Sequence, residues 1–207
     1  MSIVTLNDRA VRSVTTFGSV SGGSMVFIKK LTASSSATLS FVNGSSDVVL
    51  DSTYKEYVFT LNNMHPQTSG NNPKMTASTN TGSSYGVTVT TTDFRATHDE
   101  SGGSTGVTYR TATDLAQSTD PVHIFGGTGT GNENDECCVG IIHLFNPSST
   151  TFVKHFIART HGYSDDDRAY SNFSAGYFNT TSAIDAIQFA NNSGNMDAGD
   201  ICLYGIL

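Results

Sequence analysis

The chain has 207 residues, 37% of them hydrophobic and only 14% charged, with a formal net charge of −7. That length fits one large all-β domain, and a charged fraction well below the usual ~25% means a surface built from Ser, Thr, Asn and Gly. With only 11 Lys and Arg there is no basic stripe to displace counterions from a phosphate backbone, which excludes nucleic acid as a partner.

The first 23 residues form a weakly alternating segment that ends in a glycine hinge, "GSVSGGS". They read as an extended N-terminal arm for assembly, with Leu6, Arg9, Val11, Arg12, Val14 and Phe17 as its contact residues. The arm carries no apolar stretch of signal-peptide length, and no segment approaches the ~18 apolar residues of a membrane helix. Neither classical export nor membrane insertion is expected. Three cysteines, Cys137, Cys138 and Cys202, are an odd and small number that suits a reducing compartment. The Asn-X-Ser/Thr matches at Asn43, Asn172, Asn179 and Asn191 then reflect composition alone.

From residue 24 the apolar spacing is mostly two, in short stretches of Val, Ile, Thr, Phe and Tyr separated by Gly, Asn and Ser clusters. Segments 24–33 and 36–44 read as two strands around a tight Ser-rich turn. Segment 54–64 alternates Tyr57, Phe59 and Leu61 against polar neighbours, and 74–80, 86–97 and 106–113 follow with Thr on the solvent face. Helix candidates are few: 113–119, about a turn and a half, and 181–189, whose place before a glycine turn favours a strand. The nearly continuous apolar run "ECCVGIIHLF" (136–145) predicts a central strand covered on both faces, by a second sheet or by a neighbouring subunit, and it forms a hairpin with 150–160 through the turn 146–149. Three further strands follow in "SAGYFNTT", "SAIDAIQF" and "GDICLYGIL". Roughly ten strands with turn signals every 8 to 12 residues predict an all-β fold, an antiparallel β-sandwich that is jelly-roll-like, over residues 24–207.

Two stretches look like chemistry. "GGTGTGNENDECC" (126–138) joins glycines, acids and thiols. Its Gly127, Gly129 and Gly131 fail the dinucleotide fingerprint on spacing and context, and no Lys-Ser/Thr pair closes a phosphate loop. A calcium site through Glu133, Asp135 or Glu136 has no second copy to support it, so a flexible or tightly turned connection is the expected reading. Adjacent Cys137 and Cys138 face opposite sides of a strand and cannot share a tetrahedral metal. Cys137 and His143 are ~20 Å apart along a strand, so they do not chelate together, and His143 reads as a core or interface histidine.

The second stretch, "HGYSDDDRAYSNF" (161–173), sets Asp165, Asp166 and Asp167 between Tyr163 and Tyr170. The aspartates lack the alternate spacing of a calcium loop. A solvated loop is the expected reading, and a ligand-contact loop, with the two tyrosines stacking on sugar rings, is the functional alternative. Asp51, Glu56, Asp93, Asp99 and Asp114 offer carboxylate pairs for glycoside cleavage, but nothing in the sequence sets two at the required separation. No nucleophile motif is present. No catalytic residue, cofactor or metal ligand is assigned.

The succession "LTASSSATLSFVNG", "DSTYKEYVFTLNNMHP", "STNTGSSYGV", "ATDLAQST", "GIIHLFNPSSTTFVKHF" and "SAIDAIQFANNSGNMDAGDICLYGIL" resembles small β-rich structural proteins of tailed bacteriophages, of the marine cyanophage type. The resemblance implies a virion component made in the host cytoplasm and no catalytic residues. It implies a capsid decoration subunit or a part of the tail or its fibres, assembled with other virion proteins as a homo-oligomer, a trimer. The alternative function is a module of a tail fibre that binds host-surface glycan.

Overall fold

The computed structural model describes residues 24–126 and 129–207. The six arm residues named above lie outside them. Twelve strands follow one another: β1 (Met25–Thr32), β2 (Leu39–Val42), β3 (Glu56–Pro66), β4 (Pro73–Ser78), β5 (Val89–Asp99), β6 (Thr105–Tyr109), β7 (Val122–His123), β8 (Cys138–Phe145), β9 (Lys154–Ser164), β10 (Arg168–Phe178), β11 (Ala186–Asn191) and β12 (Met196–Ile206). They form an eight-stranded sheet, ordered β1-β12-β3-β8-β9-β10-β5-β6, and a four-stranded sheet, ordered β2-β11-β4-β7. All ladders are antiparallel. The fold is an all-β antiparallel sandwich.

Alternation decides which side chains meet. On β3, Tyr57, Phe59 and Leu61 point inward and are fully buried. From the small sheet Phe41 and Phe189 close on Phe59 edge to face, with ring centroids 5.4 Å away in each case. This geometry suits the ring quadrupoles and adds ~1 kcal/mol per pair to the burial of apolar area. Ile187, Met75, Ile142 and Leu203 complete this part of the core.

Several expectations need correction. Segments 24–33 and 36–44 do not form a hairpin, because β1 pairs with β12 in one sheet while β2 pairs with β11 in the other. Ser36 exchanges two backbone hydrogen bonds with Met196 after a left-handed Ser35, and this corner carries the chain between sheets. Segment 113–119 forms no helix, because its polar backbone groups go to β5: Thr91 N donates to Leu115 O, and Val89 and Ser118 bond reciprocally. Thr91 turns inward rather than to solvent and is buried.

The run 136–145 forms the central strand expected. Its strand β8 lies between β3 and β9, and the described residues cover one of its faces. Cys138, Ile142 and Leu144 are buried, whereas Val139 is 39% exposed and Ile141, His143 and Phe145 are half-buried. An apolar run thus marks two apolar faces without providing a cover for the second.

Candidate functional site

The glycine-acid stretch is a connection, and its residues show why. Thr130 bridges backbone to both Asn71 and Ser164, with Thr130 N donating to Asn71 O at 2.9 Å and Asp165 N donating to Gly129 O at 3.2 Å. Gly129 (φ 131°) lies so close to Gly70 that a Cβ would meet its carbonyl carbon at 2.2 Å, and a Cβ on Gly131 would meet Glu136 Oε2 at 1.8 Å. The Glu136 carboxylate fills that space and accepts from Glu133 N at 2.8 Å. The glycines therefore admit backbone and a carboxylate, and the loop is stitched to the β9–β10 turn.

Where this loop meets the ends of β3 and β12, a groove of about 360 Å³ is lined by Asn63, His65, Asn134, Cys137, Asp197 and Ala198. A cysteine, a histidine and an aspartate in one groove invite a nucleophile reading, and no pattern in the sequence marks the group because its members come from three distant segments. Their geometry argues otherwise. His65 Nδ1 lies 2.6 Å from Asp197 Oδ1 and its Nε2 lies 3.0 Å from Glu133 O. Both nitrogens face acceptors, so neither is free to take a proton from a thiol. Burial lowers the histidine's affinity for a proton, but Asp197 and the Glu133 carbonyl outweigh it and hold His65 above its ordinary value. Burial pushes the Cys137 thiol up, the opposite of an activated nucleophile. Cys138, on the inner face, is pushed up to about 12 by burial.

The aspartate stretch is a tight turn rather than an open ligand loop. Asp166 accepts from Ser164 Oγ at 2.5 Å, Arg168 Nη1 at 2.6 Å and Tyr170 OH at 3.0 Å. Asp167, in the left-handed region (φ 57°), accepts from Tyr163 OH at 3.0 Å. Asp165 contributes its backbone N–H to Gly129. Desolvation and the Asp167 carboxylate raise the Tyr163 phenol. Tyr170 is fully buried, with the Arg95 guanidinium 3.9 Å over its ring and Phe125 beside it. It cannot stack on a sugar, which corrects the expectation that paired it with Tyr163.

The other carboxylates are likewise engaged locally. Asp51 accepts from Thr53 N, Asp99 from Gly103 N, Asp114 from Tyr109 OH, Asp93 from Thr113 Oγ1, and Glu56 meets His143 Nδ1 at 2.5 Å. Among the described residues, no three His, Cys, Asp or Glu side chains are grouped to hold a metal ion.

The outward face of the large sheet is the remaining candidate. Register aligns Phe27, Tyr204, Val58, His143, Ile157 and Ala175 in one row across six strands. The next row runs Cys202, Thr60, Ile141, Arg159, Phe173, Phe94 and Tyr109. Phe94 and Phe173 stack with centroids 5.0 Å apart, and Arg159 lies over Phe173. Phe27 is 57% exposed and Ile157 53%. Large apolar side chains in adjacent rows make a patch, unlike scattered surface hydrophobics. No protein-family model, curated protein or solved structure matches the chain.

Proposed function

We propose that the chain is a structural subunit of a tailed-phage virion, acting by assembly rather than catalysis, and that the outward face of its large sheet packs on a second copy. The observation that carries this reading is the set of apolar side chains on that face, Phe27, Ile157, Tyr109 and Phe94, that stand 42–57% exposed among the described residues. Eight strands at ~4.8 Å spacing and about four residues of depth give roughly 500 Å² per subunit, or about 1,000 Å² for a pair, the lower bound of a specific interface. The resemblance to phage structural proteins supports the virion setting and a trimer. Burial of Tyr170 weighs against the glycan-binding alternative, since the turn keeps only Tyr163 for stacking.

Two measurements test the proposal. Sedimentation velocity of the purified protein is expected to show an oligomer, and a monomer at all concentrations would overturn self-assembly. Immunogold microscopy of particles from the source is expected to label virions, over the head for a capsid decoration subunit or at the tail for a fibre component. No label on any particle would overturn the virion role.

A further inference from the structure

We propose that the inner face of β5 and β10 holds one small monovalent anion, of chloride size, between the guanidinium groups of Arg95 and Arg110 and the amide of Asn172. Asn172 is 1% exposed, and register sets it opposite Arg95 on one side and Thr160 on the other. Neither its Nδ2 nor its Oδ1 has a protein partner, and the same holds for buried Arg95 Nε, Arg110 Nη1 and His123 Nδ1. So many unpaired buried polar atoms in one place is unusual, because each lost hydrogen bond costs ~1–3 kcal/mol.

These groups share a neighbourhood. Arg95 Nη1 donates to Gly126 O at 3.1 Å, and a Cβ on Gly126 would meet Arg110 Cζ at 3.1 Å. Both guanidiniums therefore border the same residue. Ser174 Oγ reaches His123 O at 3.4 Å and Thr160 Oγ1 reaches Ile124 O at 2.5 Å, so residues 123–126 roof the sheet above Asn172. That roof is one hydrogen bond above the side chains. Contact that close excludes a sugar or nucleotide.

Charge gives the sign of the ligand. Asp93 lies 3.8 Å from Arg110 Nε and also accepts from Thr113 Oγ1 and Ser174 Oγ. Asp93 thus faces Arg110, and the adjacent Asp166 and Arg168 pair with each other at 2.6 Å, while Arg95 donates to the Gly126 carbonyl and lies over the Tyr170 ring. His123 is held neutral, its value lowered to about 4 by burial and then by Lys74 and Arg110. One positive charge is in excess where water is largely excluded, and an anion neutralises it.

The test combines crystals grown in bromide with thermal melting in which chloride replaces gluconate at constant ionic strength. An anomalous bromide peak within ~3.5 Å of Arg110 Nη1 and Asn172 Nδ2 is expected. The melting temperature should rise by roughly 4 °C per tenfold chloride above the dissociation constant. Arg110→Gln should abolish that dependence. Absence of the peak, or equal chloride dependence in wild type and Arg110→Gln, overturns the site and leaves the cluster solvated by water. If Arg110→Gln does not fold, the wild-type bromide peak alone decides.

Discussion

Across the large sheet, β12, β3 and β8 share a continuous register with β10 and β5, yet the two halves bury opposite chemistry. One inner row reads Leu203, Phe59, Ile142, Ala158, Ser174, Asp93, and the next reads Ile201, Leu61, Gly140, Thr160, Asn172, Arg95. Each passes from apolar to polar at β9 or β10. The cover explains the change. Over β3 lies the small sheet, whose backbone is satisfied within its own ladders, so it presents side chains such as Phe41 and Phe189. Over part of β5 and β10 lies the chain from 110 to 126, irregular apart from the two-residue edge strand β7, and its unpaired carbonyls need donors. Thr160, Ser174 and Arg95 supply them to Ile124, His123 and Gly126.

The largest effect should come from the apolar half. Phe59→Ala removes the ring that Phe41 and Phe189 share and should cost about 4 kcal/mol in denaturant unfolding. A loss under about 1 kcal/mol would mean that the two halves do not differ in packing. Asp93→Asn should cost about 3 kcal/mol, because Arg110 and two hydroxyls lose a buried carboxylate. Hydrogen exchange should show the loss first in residues 110–118, with β3 still protected, which would separate the halves as cooperative units.

Acid provides a smaller test. His123 has a folded value of about 4 against ~6.5 in the unfolded chain, so the unfolded state binds the proton first as pH falls. Stability should drop by about 2 kcal/mol between pH 7 and pH 4 relative to His123→Gln. His65 has the opposite sign, since its folded value is raised. Its contribution is full below pH ~6.5 and fades as pH rises through the folded value, so His65→Gln should cost more at pH 5.5 than at pH 8.5. The smallest stability effect belongs to the outward face: Ile157→Lys should change unfolding by less than ~0.5 kcal/mol while converting the oligomer to monomer in sedimentation. Unchanged association would remove this face as the interface.

Much of the fold was legible because burial leaves a period of two in the sequence. Tyr57, Phe59 and Leu61 marked the inner face of β3, and "ECCVGIIHLF" marked a central strand. The groove of His65, Cys137 and Asp197 left no such trace, since pairing of β3 with β12 joins residues more than a hundred positions apart. Asp165 to Asp167 looked solvated, and Asp165 and Asp167 are exposed; the left-handed Asp167 and the hydrogen bonds of Asp166, which shape them into a turn, left no mark in the sequence. Tyr170 looked accessible because an aromatic in a polar stretch reads as exposed, whereas Arg95 and Phe125 enclose it.

The sequence by itself determined an all-β antiparallel sandwich, the low charge, the inner apolar positions of β3 and the central place of β8. Those follow from side-chain period and composition, which are local. Only the tertiary structure decided that β1 and β2 join different sheets and that the described residues cover one face of β8. It also decided that two arginines and one aspartate meet beneath residues 123–126. Strand partners and covering layers come from segments distant in the chain, and alternation within a strand carries no record of its neighbours.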